Sequence, residues 1–151
     1  MNGEWRSARK VRIHCPIERN TLVGLLKGNL AAIELDPVAA KILAVIRGRN
    51  PLGDFEVYQG VFEISFGIEG FTATEGAEPT AGLRGEPTLS PTAIITTYVD
   101  AAADGTAVAA ALEELVRAHP WETPVIEVAN ETVRLPRRKE TGPFRPGPSD
   151  P

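Results

Sequence analysis

The chain predicts an α+β fold, a ferredoxin-like two-layer sandwich with two main helices on one face of an antiparallel sheet. Three observations carry that expectation. Hydrophobic periodicity along the 151 residues runs strand, helix, strand, strand, helix, strand. Both main helices open on an aspartate, Asp36 ahead of Pro37 and Asp104 ahead of 105–118. The composition, 42% hydrophobic and 24% charged, is that of a globular protein, at a length that suits one domain and not two full ones.

Taken in order, Val11, Ile13 and Cys15 alternate with Arg12 and His14, the period of a half-buried strand that ends at Pro16. Leu22, Val23, Leu25 and Leu26 then give a short helix over 18–28, weakened by Gly24 and stopped at Gly28-Asn29. Residues 30–35 read equally as a helix end or a strand, so the first core strand is either 11–16 or 30–35. Val38, Ile42, Val45 and Ile46 form the stripe of a helix over 37–47, closed by Gly48. Alternation over 54–66 (DFEVYQGVFEISF) predicts a long strand bent at Gly60, followed by a glycine-spaced loop from Gly67 to Gly85. The β-branched run 92–99 (TAIITTYV) is a strand. Val108, Ala111, Leu112 and Leu115 stripe the helix 105–118, and Val125, Ile126 and Val128 open a last strand, which Val133 and Leu135 extend.

Charge and composition bound the function. Residues 1–12 carry +3 and residues 136–151 carry +2, which leaves −9 on residues 13–135 of the total of −4. An acidic body repels phosphate backbones, so nucleic acid is not an expected partner. Residues 1–9 are expected to be a flexible basic arm, and 136–151, with five prolines, a disordered tail. The folded domain is then 10–135. The basic ends read as solvated tails or as docking arms for a partner protein. No apolar run reaches the length of a membrane span, and the first twenty residues lack a continuous apolar stretch. One cysteine fits a reducing compartment, so the expected location is cytoplasmic.

The most specific segment is His119-Pro120-Trp121-Glu122-Thr123-Pro124, at the junction of the last helix and strand. It resembles the His-Pro-Tyr-Glu-x-Pro signature of the CutA divalent-ion tolerance proteins and of the YqfO-type domain in Nif-three-like proteins, with Trp121 in place of tyrosine. A second stretch favours the latter family. Gly53 and Phe55, then Gly70 and Phe71, then Gly76, Ala77, Pro79 and Gly82 follow its order of glycine–aromatic pairs and a G-A-x-P-x-x-G run. The resemblance covers about 30–129 and implies a PII/CutA-like fold and a homotrimer. The hydrolase-like, histidine-rich part of full-length Nif-three-like proteins has no counterpart in a chain with two histidines.

Candidate ligand-binding residues are therefore Trp121, Gly70, Phe71, Gly76, Pro79 and Gly82. Candidate ligands for a divalent metal, zinc or copper, are His119 and Glu122, joined by His14 or Cys15 from a neighbouring strand or subunit. Against that, His119 at a helix end suits a capping role, and Cys15 beside Pro16 suits a small buried hydrophobe. The glycine-spaced loop carries Glu69, Glu75, Glu78 and Glu86 against Arg84 alone and lacks a phosphate-binding motif, which disfavours anionic nucleotides but not cations or neutral metabolites. Ser65 and Ser90 lie outside any G-x-S-x-G context, so no catalytic residue is assigned. The expected function is a non-enzymatic, trimeric module that regulates, scaffolds or binds a small ligand, with a pocket between subunits near His119, Trp121 and Glu122. The alternatives are a metal-binding protein or metal-assisted hydrolase using His119 and Glu122, and an accessory subunit of a larger enzyme.

Overall fold

The computed structural model describes residues 4–138. Its elements are β1 (Trp5–Pro16), α1 (Arg19–Leu26), α2 (Ala32–Leu35), α3 (Pro37–Ile46), β2 (Glu63–Thr72), β3 (Pro87–Asp100), α4 (Gly105–Ala118) and β4 (Val125–Pro136). The sheet order is β2-β3-β1-β4, and every neighbouring pair is antiparallel. That is the ferredoxin-like arrangement, with β3 inserted between the two strands that the α1–α3 crossover joins.

Side-chain alternation explains the layering. Val11, Ile13 and Cys15 of β1 stand beside Thr97, Ile95 and Ala93 of β3, and all six are buried. Ile42, Leu43 and Ile46 of α3 and Ala111 and Leu115 of α4 complete this core. The other sheet face carries the intervening residues: Arg12 and His14 of β1, Ile94 and Thr96 of β3, Ser65 of β2 and Glu127 of β4. Removing one methylene by Ile95→Val should cost about 1 kcal/mol of unfolding free energy, read as a lower urea midpoint at constant slope. An unchanged midpoint would place Ile95 outside the packed core.

Asp36 sets the helical layer. One carboxylate oxygen accepts the Val38 and Ala39 amides at 3.0 Å, capping α3 behind Pro37. The other accepts the Glu18 amide at 2.9 Å and the Thr21 hydroxyl at 2.7 Å, which ties the start of α1 to the start of α3. At α4, Asp104 accepts the Ala107 amide at 2.9 Å, the cap its sequence predicts.

Several expectations are corrected. The first core strand is β1, and residues 30–35 contribute the short α2. Residues 5–9 belong to β1 and not to a loose arm, because Trp5–Arg9 pair with Thr132–Pro136 and give those residues a ladder to join. Pro136 and Arg137 are held likewise: Pro136 pairs with Trp5, the Arg137 amide donates to the Glu4 carbonyl and its guanidinium pairs with Glu56 at 2.6 Å. The remainder of the predicted tail, 139–151, lies outside the described residues. The helix 18–28 shortens to α1, with α2 an addition to the two main helices α3 and α4.

The largest correction concerns 54–66. The strand begins only at Glu63 and runs on through Gly67 and Gly70 to Thr72. Residues 53–61 form a loop because Gly53, Glu56 and Gly60 all have left-handed φ near +64°. At Gly53 glycine is required. A Cβ there would lie 2.6 Å from both the Val61 amide nitrogen and its carbonyl oxygen. Phe55, which gave the segment its strand-like alternation, instead packs edge-on against Tyr98 at 6.0 Å and under the Arg6 guanidinium.

Beyond the end of β1, the β2–β3 hairpin continues alone. β1 stops opposite Thr92, while Ile68–Thr72 go on pairing with Pro87–Pro91. This overhanging arm shapes the candidate site.

Candidate functional site

Helix α4 ends at Ala118, and His119 leaves it in extended conformation with its amide still bonded to the Leu115 carbonyl at 3.1 Å. Its ring turns inward and is 6% exposed. Nδ1 accepts the Trp121 amide at 3.1 Å, which requires that nitrogen to be unprotonated. Nε2 then carries the proton and donates it to the His14 carbonyl at 2.6 Å. Burial pushes the imidazole pKa below its ordinary value, and the His14 carbonyl opposes this only in part. His119 is thus a neutral staple between β1 and the 119–124 turn.

The same contacts bear on each of the metal candidates. Both His119 nitrogens are committed to backbone groups, so neither offers a lone pair to a cation. Cys15 is fully buried in the core, where burial, with Asp36 adding to it, raises its thiol pKa to about 12. His14 points to the opposite sheet face, 2.9 Å from Glu127 and 4.0 Å from Glu69. Glu127 also takes Arg12 at 3.4 Å, and these contacts hold its carboxyl pKa below the usual range, His14 first. Cys15 in the core and the committed His119 ring thus stand apart from His14 on the other face, and among the described residues no group of three or more histidine, cysteine or acidic side chains could hold a metal ion.

The staple instead positions Trp121. Its indole lies 5.3 Å from the His119 ring and 6.3 Å from Phe71 of β2, tilted 59° to the latter. Glu122 accepts the Glu78 amide and so fastens the turn to the 73–86 loop. That loop closes on itself where the Gly85 amide reaches the Ala73 carbonyl at 2.7 Å and Arg84 Nε donates to the Ala77 carbonyl at 2.7 Å. Between turn, loop and hairpin arm lies an open-mouthed cavity of about 350 Å³, walled by Phe71, Trp121, Pro79, Glu69, Glu122 and Val125 among others. The volume lies at the lower end for small-molecule sites.

Of the predicted binding residues, Trp121, Phe71 and Pro79 line the cavity. The glycines do not. Gly70 lies in β2, where a Cβ would press on Leu89, and Gly82 has φ +75° with no room for a Cβ beside Thr88. Gly76 borders open space. Glu122, predicted as a metal ligand, is a wall residue, and the cavity is lined by residues of one chain. Glu69 and Val125 were not foreseen as site residues. Glu69 and Phe71 are two apart on one strand and so share a face, but that signal requires β2 to continue through Gly67 and Gly70.

No family model matches the chain, and no curated protein does. Its structure is similar to that of a Bacillus cereus protein related to NIF3, with a TM-score of 0.54 and 16% identity over 85% of this chain. The chain spans 27% of that protein's length. At this identity the likeness shows the fold, and it agrees with the Nif-three-like resemblance of the sequence motifs.

Proposed function

We propose that the chain is a self-associating module that binds a small ligand in the cavity between Phe71 and Trp121. One observation carries this reading. His119 fastens the 119–124 turn to β1, Glu122 fastens that turn to the 73–86 loop, and turn, loop and hairpin arm together wall a space with two aromatic sides. The polar groups facing that space are carboxylates and threonine hydroxyls, suited to recognition.

Self-association follows from the sheet. Its helix-free face carries the half-buried Ile94 and Tyr98, and β2 is a ten-residue edge strand whose outer side has no strand partner among the described residues. Phe66, Ile68 and Leu89 are exposed on that hairpin. Edges of this kind are normally covered. A closed trimer, in which each copy covers the next, is the assembly we propose. Sedimentation velocity at micromolar concentration should give a trimer, and a strict monomer would overturn the assembly. The cavity reading is tested by titrating small molecules of each charge type into isotope-labelled protein and following the Trp121 indole signal. If none shifts it, the cavity is structural only.

A second reading is favoured by the length comparison: the same fold occurs inside a longer chain. The module would then serve as an accessory subunit, and its own exposed hairpin would dock on the larger partner. A pull-down with Ile68→Glu and Leu89→Glu tests it, and undiminished partner recovery would remove that role from the hairpin.

A further inference from the structure

The charge and aromatic content of the cavity name the class of ligand it takes. Three carboxylates, Glu69, Glu78 and Glu122, line it, and among the described residues no lysine, arginine or histidine side chain does. The nearest loop cation, Arg84, is turned to the Ala77 carbonyl. Glu122 spends one oxygen on the Glu78 amide, and Glu69 stands 4.0 Å from His14, too far for a hydrogen bond. Carboxylate oxygens thus remain free to accept from a guest.

The two rings set the rest of the chemistry. Phe71 and Trp121, 6.3 Å apart and inclined at 59°, form two sides of an aromatic corner. Ring faces carry negative potential and attract a cation within about 6 Å of their centroids. A hydrated metal ion gains little from ring walls, whereas an alkylammonium gains from both walls and carboxylates. An anion is repelled by all of them. A neutral ligand keeps the apolar contact alone.

From this we infer that the cavity is a binding site for a small organic ammonium ion, whose cationic head lies against Phe71 and Trp121 with Glu69 and Glu122 as counter-charges. The inference rests on the cavity being a ligand site at all, and the experiment separates the two claims. The full chain, isotope-labelled and at constant ionic strength, is titrated with choline, with its neutral isostere 3,3-dimethylbutan-1-ol, and with the anion 3,3-dimethylbutanoate. Choline should shift the Trp121 indole and the amides of 69–72 and 121–125 saturably, and bind about tenfold tighter than the alcohol. Glu69→Gln should weaken choline severalfold and leave the alcohol unchanged. Phe71→Leu should narrow the gap between the two, with thermal melts showing that both variants are folded. Equal affinity for choline and the alcohol, or the same shifts with calcium chloride, would overturn the ammonium assignment and leave the cavity a binding site. Silence toward all three organic probes would overturn both claims.

Discussion

Asp36→Ala is expected to lower the unfolding free energy by about 3 kcal/mol. The side chain is 1% exposed and serves four donors at once. Loss of an N-cap alone costs about 1 kcal/mol. The remainder comes from the Glu18 amide and the buried Thr21 hydroxyl, which keep their desolvation cost and lose their acceptor. Asp36→Asn should lie between, since Oδ1 can still cap α3 while an amide group would confront the two donors of α1. Urea unfolding of the three proteins at neutral pH checks the order. A loss below 1 kcal/mol for the alanine variant would mean that the α1–α3 junction relaxes and takes in water. The effect should reach no further than that junction, so the Trp121 indole signal should keep its position in the folded variant.

The parts of the fold carried by local chemistry were legible in the sequence. Asp36-Pro37 and Asp104 announce helix starts whose acceptors and φ values need no distant partner, and both caps are present. Residues decided by register were not. Gly67 and Gly70 look like loop punctuation, yet both sit in the ladder opposite Thr92 and Leu89, with the side chains of Ile94 and Leu89 against them. Conversely, 54–62 has the alternation of a strand, but the left-handed Glu56 and Gly60 turn the backbone away from the ladder. The same division holds at the site. Trp121, Phe71 and Pro79 were found from a motif, while Glu69 became visible only once β2 was extended by one turn of the pleat. Strand geometry also separates two of the metal candidates: His14 and Cys15 are adjacent, and adjacent strand residues face opposite sides.

His119→Ala should cost about 3 kcal/mol and erase a pH dependence expected of the parent protein. The ring satisfies the Trp121 amide and the His14 carbonyl, and its loss leaves both unpaired next to a vacated space. The pH dependence has a definite sign. The folded-state pKa of His119 lies below its ordinary 6.5, because burial disfavours the imidazolium. Just below pH 6.5 the unfolded chain therefore binds more protons than the folded one. Its contribution is complete above pH 6.5 and is lost as pH falls through the folded-state value. Protonated Nδ1 would also point a proton at the Trp121 amide, so the turn opens as the ring charges. The carboxyls of Glu34 and Glu127, held below their ordinary 4.5 by Arg47 and His14 respectively, add their loss in a separate, more acid window. Stability measured by urea unfolding from pH 7.5 to 5 should decline for the parent chain and stay flat for His119→Ala above pH 5. Parallel curves for the two proteins would show that the ring is not a buried neutral staple. Because the same ring orients Trp121, the alanine variant should also lose the Trp121 indole response to choline while Phe71→Leu retains part of it. That pattern separates a residue that positions the wall from one that forms it.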